Sequence, residues 1–232
     1  MNTQPTYIRT GAVRPLECLS EGWRLIRDQY LLMVGISLVG IIIASAVPFG
    51  LLQGPMMCGI YICLFALARG ERIEFGTLFK GMDHFTPGLI ATLVQFVPMM
   101  LVIIPTTLFF FIRVAMAIGR DGGRPRPDVA ELVPGFVLTI LILMPLLMAL
   151  MALLLFSYPL IVDRRLSGWE ACRTSARAVL GNVGGILGLI LLNAVLGLVG
   201  GLLCYVGAFF VMPIGFAAIV VAYRQIFGGE TG

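Results

Sequence analysis

The chain has 232 residues, 59% of them hydrophobic and 12% charged, with a formal net charge of +4. Soluble domains carry roughly 25% charged and 45–50% apolar residues, so the composition excludes an ordinary water-soluble globule and predicts an integral membrane protein. So small a positive excess, with no basic patch interleaved with aromatics, gives no nucleic-acid partner.

Residues 1–14 read as an N-terminal tail. "MNTQPTYIRTGAVRPLECLSEGW" lacks the short apolar core and small-residue cleavage site of a secretory signal, so the first membrane helix serves for insertion. From residue 15 the helical period places Leu16, Leu19, Trp23, Ile26 and Tyr30 on one stripe, with Glu17, Glu21, Arg24 and Asp28 opposite. This predicts an amphipathic helix with Trp23 as an interfacial anchor. Leu31 to Val47 follows as a first span, ended by Pro48. The uncharged "PFGLLQGP" then turns the chain into a second span, Pro55 to Ala68 with the preceding "FGLLQG". Amphipathic helix plus hairpin make a first module, residues 15–70.

A second module, residues 71–165, repeats the plan. Phe75, Leu78, Phe79, Met82 and Phe85 make its stripe, with Glu74, Lys80 and His84 off it. The third span is Pro87 to Ile112, with Thr86 as N-cap and Pro87 at the first helical position. It reads as one tilted helix, kinked at Pro98 or Pro105, because a separate span from Thr106 would hold only about a dozen residues where ~20 are needed. Arg113, which would cost roughly 2.5–3.5 kcal/mol at mid-membrane, then sits at the interface; the alternative is a water-filled cavity where it binds an anion. Residues 119–135, "GRDGGRPRPDVAELVPG", suit a solvated external loop. The fourth span, Pro134 to Leu160, ends near Tyr158-Pro159.

The third module is residues 166–228. Ser167-Gly168-Trp169-Glu170 matches a capping box and opens a helix from Gly168 to Leu180. Trp169, Cys172, Ala176, Val179 and Leu180 form its apolar stripe, and Glu170, Arg173, Thr174 and Arg177 its polar face. Arg164, Arg165, Trp169, Arg173 and Arg177 are interfacial candidates. Val183 to Leu198 and Tyr205 to Ile226 complete six spans in three hairpins, each preceded by an amphipathic helix on one side of the membrane. That side holds twelve of the sixteen Lys and Arg residues, which makes it cytoplasmic and puts both termini there.

Chemistry is sparse. Cys18, Cys58, Cys63, Cys172 and Cys204 have neither disulfide nor zinc spacing. His84, the one histidine, lacks an evident partner. No Asp, Glu, His and Cys cluster suggests a metal, and no motif suggests a cofactor or a catalytic set. Gly50/Gly54, Gly184/Gly188 and Gly197/Gly201 have the spacing of helix-packing glycines. Gln95 and Asn193, with Ser37, Ser45 and Thr92, are the buried polar candidates within spans; Gln95 and Asn193 suit interhelical hydrogen bonds or, alternatively, a solute path that Arg113 could join.

"RGERIEFGTLFKGMDHF" and "FSYPLIVDRRLSGWEACRTSARAVLGN" resemble the two signatures of a superfamily of small bacterial inner-membrane proteins. It includes the YciC-like proteins and the membrane domain attached to some glycerophosphodiester phosphodiesterases. The resemblance spans nearly the whole chain. It implies a multi-pass protein of the bacterial inner membrane and carries over no catalytic residue, since catalysis in those phosphodiesterases belongs to a separate soluble domain. The resulting expectation is a non-enzymatic protein, an assembly partner or bilayer-associated factor. Its partners would be membrane lipids, anionic ones among them, and a second copy or another membrane protein. The alternatives are a transporter or pore for a neutral or anionic solute and, behind it, a lipid-acting membrane enzyme.

Overall fold

The computed structural model describes residues 8–47, 50–118, 129–202 and 206–228. Regular structure among these residues is entirely helical: α1 Pro15–Ile26, α2 Tyr30–Ala46, α3 Gln53–Ala68, α4 Phe85–Ile118, α5 Val129–Leu153, α6 Ser157–Arg164, α7 Gly168–Leu180, α8 Val183–Leu202 and α9 Val206–Phe227. A 3-10 turn, Arg27–Gln29, links α1 to α2, and a 3-10 helix, Phe75–His84, precedes α4.

Five stretches among the described residues are long and apolar enough to cross a membrane: Pro15–Ala46, Phe75–Ala115, Pro134–Arg164, Val183–Leu202 and Gly207–Phe227. The expected second span falls outside this set. α3 has 16 residues, about 24 Å of rise against a hydrocarbon core of ~30 Å. Most of its residues are buried by neighbouring helices, so its surroundings are protein on most sides.

Other boundaries differ for local reasons. The segment before α4 is 3-10 rather than α-helical, and α4 starts at Phe85, so Thr86 is no cap and Pro87 lies inside the first turn. α4 then runs unbroken across Pro98 and Pro105. The fourth run is divided: α5 closes at Leu153, and Ser157 opens a new helix that carries Pro159 in its first turn, where a missing N–H costs nothing. α6 ends at Arg165, which adopts left-handed backbone with φ 51°. Of the expected external loop, residues 119–128 lie outside the described residues, and Val129 to Gly135 are already helical.

The chain divides into two units, residues 1–92 with 152–232, and residues 93–151. In the first unit each segment that precedes a long apolar helix lies against another element through small residues: the 3-10 helix and α7 against the element before them in the chain, α1 against the last helix. α1 meets α9 at Gly22, where a Cβ would stand 2.8 Å from the Ala218 nitrogen. The 3-10 helix meets α3 at Gly59 and Gly81, where a Cβ would collide with the Leu78 and Pro55 carbonyls. α7 meets the Leu153–Phe156 turn through Ser175, whose hydroxyl donates to Leu153 O at 2.8 Å and accepts from Phe156 N at 3.0 Å. The α7 helix itself opens with the expected box, Glu170 N donating to Ser167 Oγ at 3.4 Å.

The same three segments join head to tail. Ile73 N, just ahead of the 3-10 helix, donates to Gln29 Oε1 beyond α1 at 3.2 Å. Gly168, at the start of α7, abuts Pro87 and Ile90 beyond the 3-10 helix. Ala12 N, ahead of α1, donates to Asn182 Oδ1 beyond α7 at 2.9 Å. Three segments with three junctions form a closed ring.

The buried faces match the expected apolar stripes only in part. α1 buries Ile26 of its stripe, with Cys18 and Gly22, leaving Trp23 44% and Leu16 72% exposed. α7 buries Cys172 and Val179 of its stripe, with Gly168, Ala171, Ser175 and Ala178, leaving Trp169 55% and Leu180 65% exposed. Backbone approach favours small residues on the inner face, and Leu16, Trp23, Trp169 and Leu180 turn outward. Glu170 serves the capping box through Ser167 Oγ at 2.8 Å, and no pair with Arg173 is formed.

Candidate functional site

Three places gather the chemistry-bearing residues. The first is where α3, α6 and α9 end, in the first unit. Rings of Phe65, Phe156 and Tyr223 pack there, with centroids 5.5 Å apart for Phe65–Tyr223 and 6.3 Å for Phe156–Tyr223. Tyr223 is buried and its hydroxyl donates to Asp163 Oδ2 at 2.6 Å. Arg164 donates to Phe227 O at 3.0 Å, placing a cation on the carbonyl end of α9. Arg69 Nε stands 2.7 Å from Glu71 Oε1. That hydrogen bond holds the Glu71 carboxyl below its ordinary range and raises the guanidinium in turn. Chemically the cluster fastens helix ends: each charge has a structural partner within hydrogen-bond distance.

Nearby, Asn182 is buried and makes three contacts. It accepts from Ala12 N and donates to Arg9 O and Ala178 O, both at 2.9 Å. Gln225 does similar work, accepting from Arg14 N at 3.0 Å. The buried Thr92 and Tyr158 hydroxyls pair at 3.1 Å. Of these only Thr92 was a candidate from the sequence, as a polar residue inside a span. For Asn182 and Tyr158 the signal available was contextual, since both lie in the second signature stretch, the Asn between α7 and α8.

The second place is an apolar groove between α8 and α9, about 380 Å³, in which Asn193 faces Gly215 among Leu189, Val211, Met212 and Phe216. A Cβ on Gly215 would lie 2.8 Å from Asn193 Oδ1, so the glycine makes room for the carboxamide.

The third place is in the second unit: a groove of about 550 Å³ between α4 and α5, walled by Phe109, Phe110 and Phe136 and carrying Arg113. Phe110 and Phe136 pack at 4.3 Å. The Arg113 guanidinium lies 5.9 Å from the Phe109 ring centroid and has no acidic partner among the described residues. Arg113 therefore lines a groove. Gln95 is buried elsewhere on α4, roughly 27 Å from Arg113 along the helix by rise. Gln95 does not line the Arg113 groove.

The packing glycines divide. Gly54 abuts the Gly88 backbone, and a Cβ on Gly188 would lie 2.7 Å from the Pro15 ring. Gly184, Gly197 and Gly201 face open space, and the contacts fall to Gly185 against Val13 and Gly200 against Ala208. A step of one residue turns a helix by about 100°, so correct spacing chose the wrong face. Gly50 has φ 66° and serves a turn. Among the described residues no three His, Cys, Asp or Glu side chains stand close enough to hold a metal. The chain matches no family model, no curated protein and no solved structure.

Proposed function

We propose that this chain is a multi-pass protein of the bacterial inner membrane, with six spans in three hairpins and both termini in the cytoplasm. In this reading it is a non-enzymatic scaffold that binds lipid and a further membrane protein, within the superfamily its signature stretches resemble. The carrying observation is the outer surface of the long helices. Leu101 is 74% exposed, Phe109 65%, Leu141 and Ile142 64% each and Leu191 66%. Only 6% of the most apolar window of Pro134–Arg164 is buried, at a mean hydropathy of 2.8. Apolar patches of that extent are rare on water-soluble monomers, whereas acyl chains solvate them.

The amphipathic segments supply the cytoplasmic-side surface. Trp23, Phe79 and Trp169 are exposed; Arg24 and Lys80 follow the first two directly in sequence, and Arg173 lies about one helical turn beyond Trp169. Aromatic residues next to basic ones suit the headgroup region. The sixth span is α3, short because helices rather than lipid cover most of it.

Two measurements test this. Alkaline carbonate should leave the protein in the membrane pellet, and release into the supernatant would end the membrane reading. Alkaline phosphatase fused at Gly123 should be active, and fused at Gly232 silent. The reverse pattern would refute the orientation.

A further inference from the structure

We infer that the α4–α5 groove of the second unit is a binding site for an anionic lipid, with the acyl chain along the phenylalanine wall and the headgroup phosphate on Arg113. The source of the ligand rests on the membrane reading above; the chemistry of the groove does not.

Three features carry the inference. The volume, about 550 Å³, lies within the range of small-molecule sites, roughly 300–1,000 Å³. Apart from Arg113 the wall offers an anion no side-chain donor, because its two hydroxyls give their hydrogens to their own helices: Thr106 donates to Val102 O at 2.7 Å and Thr139 to Gly135 O at 2.8 Å. The one charge is Arg113, which stacks near Phe109 and has no acidic partner among the described residues.

A guanidinium presents a planar fork of donors suited to phosphate oxygens. Bare phosphate would leave its remaining oxygens against phenylalanine rings, where unpaired polar atoms are costly. A phosphate attached to an acyl chain satisfies both halves of the groove. Gly135 keeps the space open, since a side chain there would meet nothing within 4 Å.

The experiment reconstitutes the full chain in nanodiscs of equal phosphatidylglycerol and digalactosyldiacylglycerol, an uncharged lipid with the same acyl chains and no phosphate. Lipid retained after mild detergent release is counted by native mass spectrometry. The wild type should retain phosphatidylglycerol over the galactolipid by roughly tenfold or more, the worth of one hydrogen-bonded charge contact. Arg113→Gln should abolish that preference. Gly135→Leu should reduce retention of both lipids with Arg113 intact, since it fills the groove.

Equal retention by the wild type would overturn the site, as would a preference that survives Arg113→Gln. Displacement by millimolar inorganic phosphate would show an anion site without an acyl component and equally overturn the proposal. If carbonate released the protein, the membrane reading would fail by itself. Dodecyl phosphate, compared with dodecyl maltoside in buffer, would then test the groove: loss of the dodecyl phosphate preference in Arg113→Gln supports it, and no preference sinks it.

Discussion

In the first unit a methyl group has almost nowhere to go at Gly22, Gly54, Gly59, Gly81 and Gly168, each of which lies against backbone of another segment. In the second unit Gly135 faces open space, and the helices meet through side chains such as Phe110 and Phe136. The first unit also buries polar clamps at Asn182, Ser175 and Thr92, whereas the Thr106 and Thr139 hydroxyls of the second bond only to their own helices. Helices in lipid gain little from hiding apolar surface, so specificity comes from close backbone approach and interhelical hydrogen bonds. Among the described residues the first unit has both devices, while the second unit's buried polar side chain, Gln95, is engaged as well. The second unit presents long apolar faces and a groove, which suits contact with something besides itself.

The sharpest way to break this comparison is a pair of equal insertions. Gly59→Leu should lower stability by roughly 3 kcal/mol or more, because the Leu78 backbone cannot move aside. Gly135→Leu should change it by less than about 0.5 kcal/mol. Thermal unfolding in detergent, followed by tryptophan fluorescence, reads both. Similar losses would mean that the two units are packed alike. A second pair compares polar groups. Asn182→Ala should cost roughly 2–3 kcal/mol by orphaning buried backbone partners, against less than about 0.5 kcal/mol for Thr139→Val. If Asn182→Ala is silent, the N-terminal strap, Arg9 to Ala12, is not fastened there.

Smaller effects refine the ring. Ser167→Ala should cost about 1 kcal/mol through loss of the α7 cap, visible as a lower midpoint in the same unfolding curves. An unchanged midpoint would show that packing alone sets the start of α7. On an otherwise cysteine-free background, Trp169→Cys should label quickly, whereas a variant that keeps only the native Cys172 should label slowly, since burial pushes that thiol up. Equal labelling would place both on one face.

How much of this was legible follows from what periodicity can see. The α7 limits, Gly168 to Leu180, were readable to the residue because Ser167 and Glu170 write a local capping signal. Its inner face was readable only at Cys172 and Val179, because hydropathy ranks Trp169 above Ala171 and Ser175, whereas close packing selects by size. The span limits near Tyr158 failed for a related reason: a proline in an apolar run reads as a stop, yet at the start of α6 it is benign. The junctions at Gln29 and Asn182 join residues far apart in sequence, and no single-chain pattern announces such partners. Arg113 stood out as an isolated cation, but the groove around it depends on how α5 meets α4.

The smallest expected effect separates decoration from structure at the α3 end. Arg69 and Glu71 form a close pair, but their side chains are 59% and 54% exposed, and solvent-exposed pairs contribute little. The sign is still fixed by linkage. The Glu71 carboxyl is lowered by its hydrogen bond to Arg69, so the native state favours the ionised form relative to the unfolded chain. The pair's contribution is therefore complete above the ordinary carboxylate range and is lost as pH falls through the lowered value. Glu71→Gln should flatten the acid side of the stability profile slightly and leave stability at neutral pH almost unchanged, and added salt should shrink the difference further. Unfolding midpoints from pH 7 down to pH 3, wild type against variant, read this directly. A large loss at pH 7 would mean that Glu71 holds the α3 end together in the way that Asn182 holds the strap, and the contrast between clamp and surface pair would have to be redrawn.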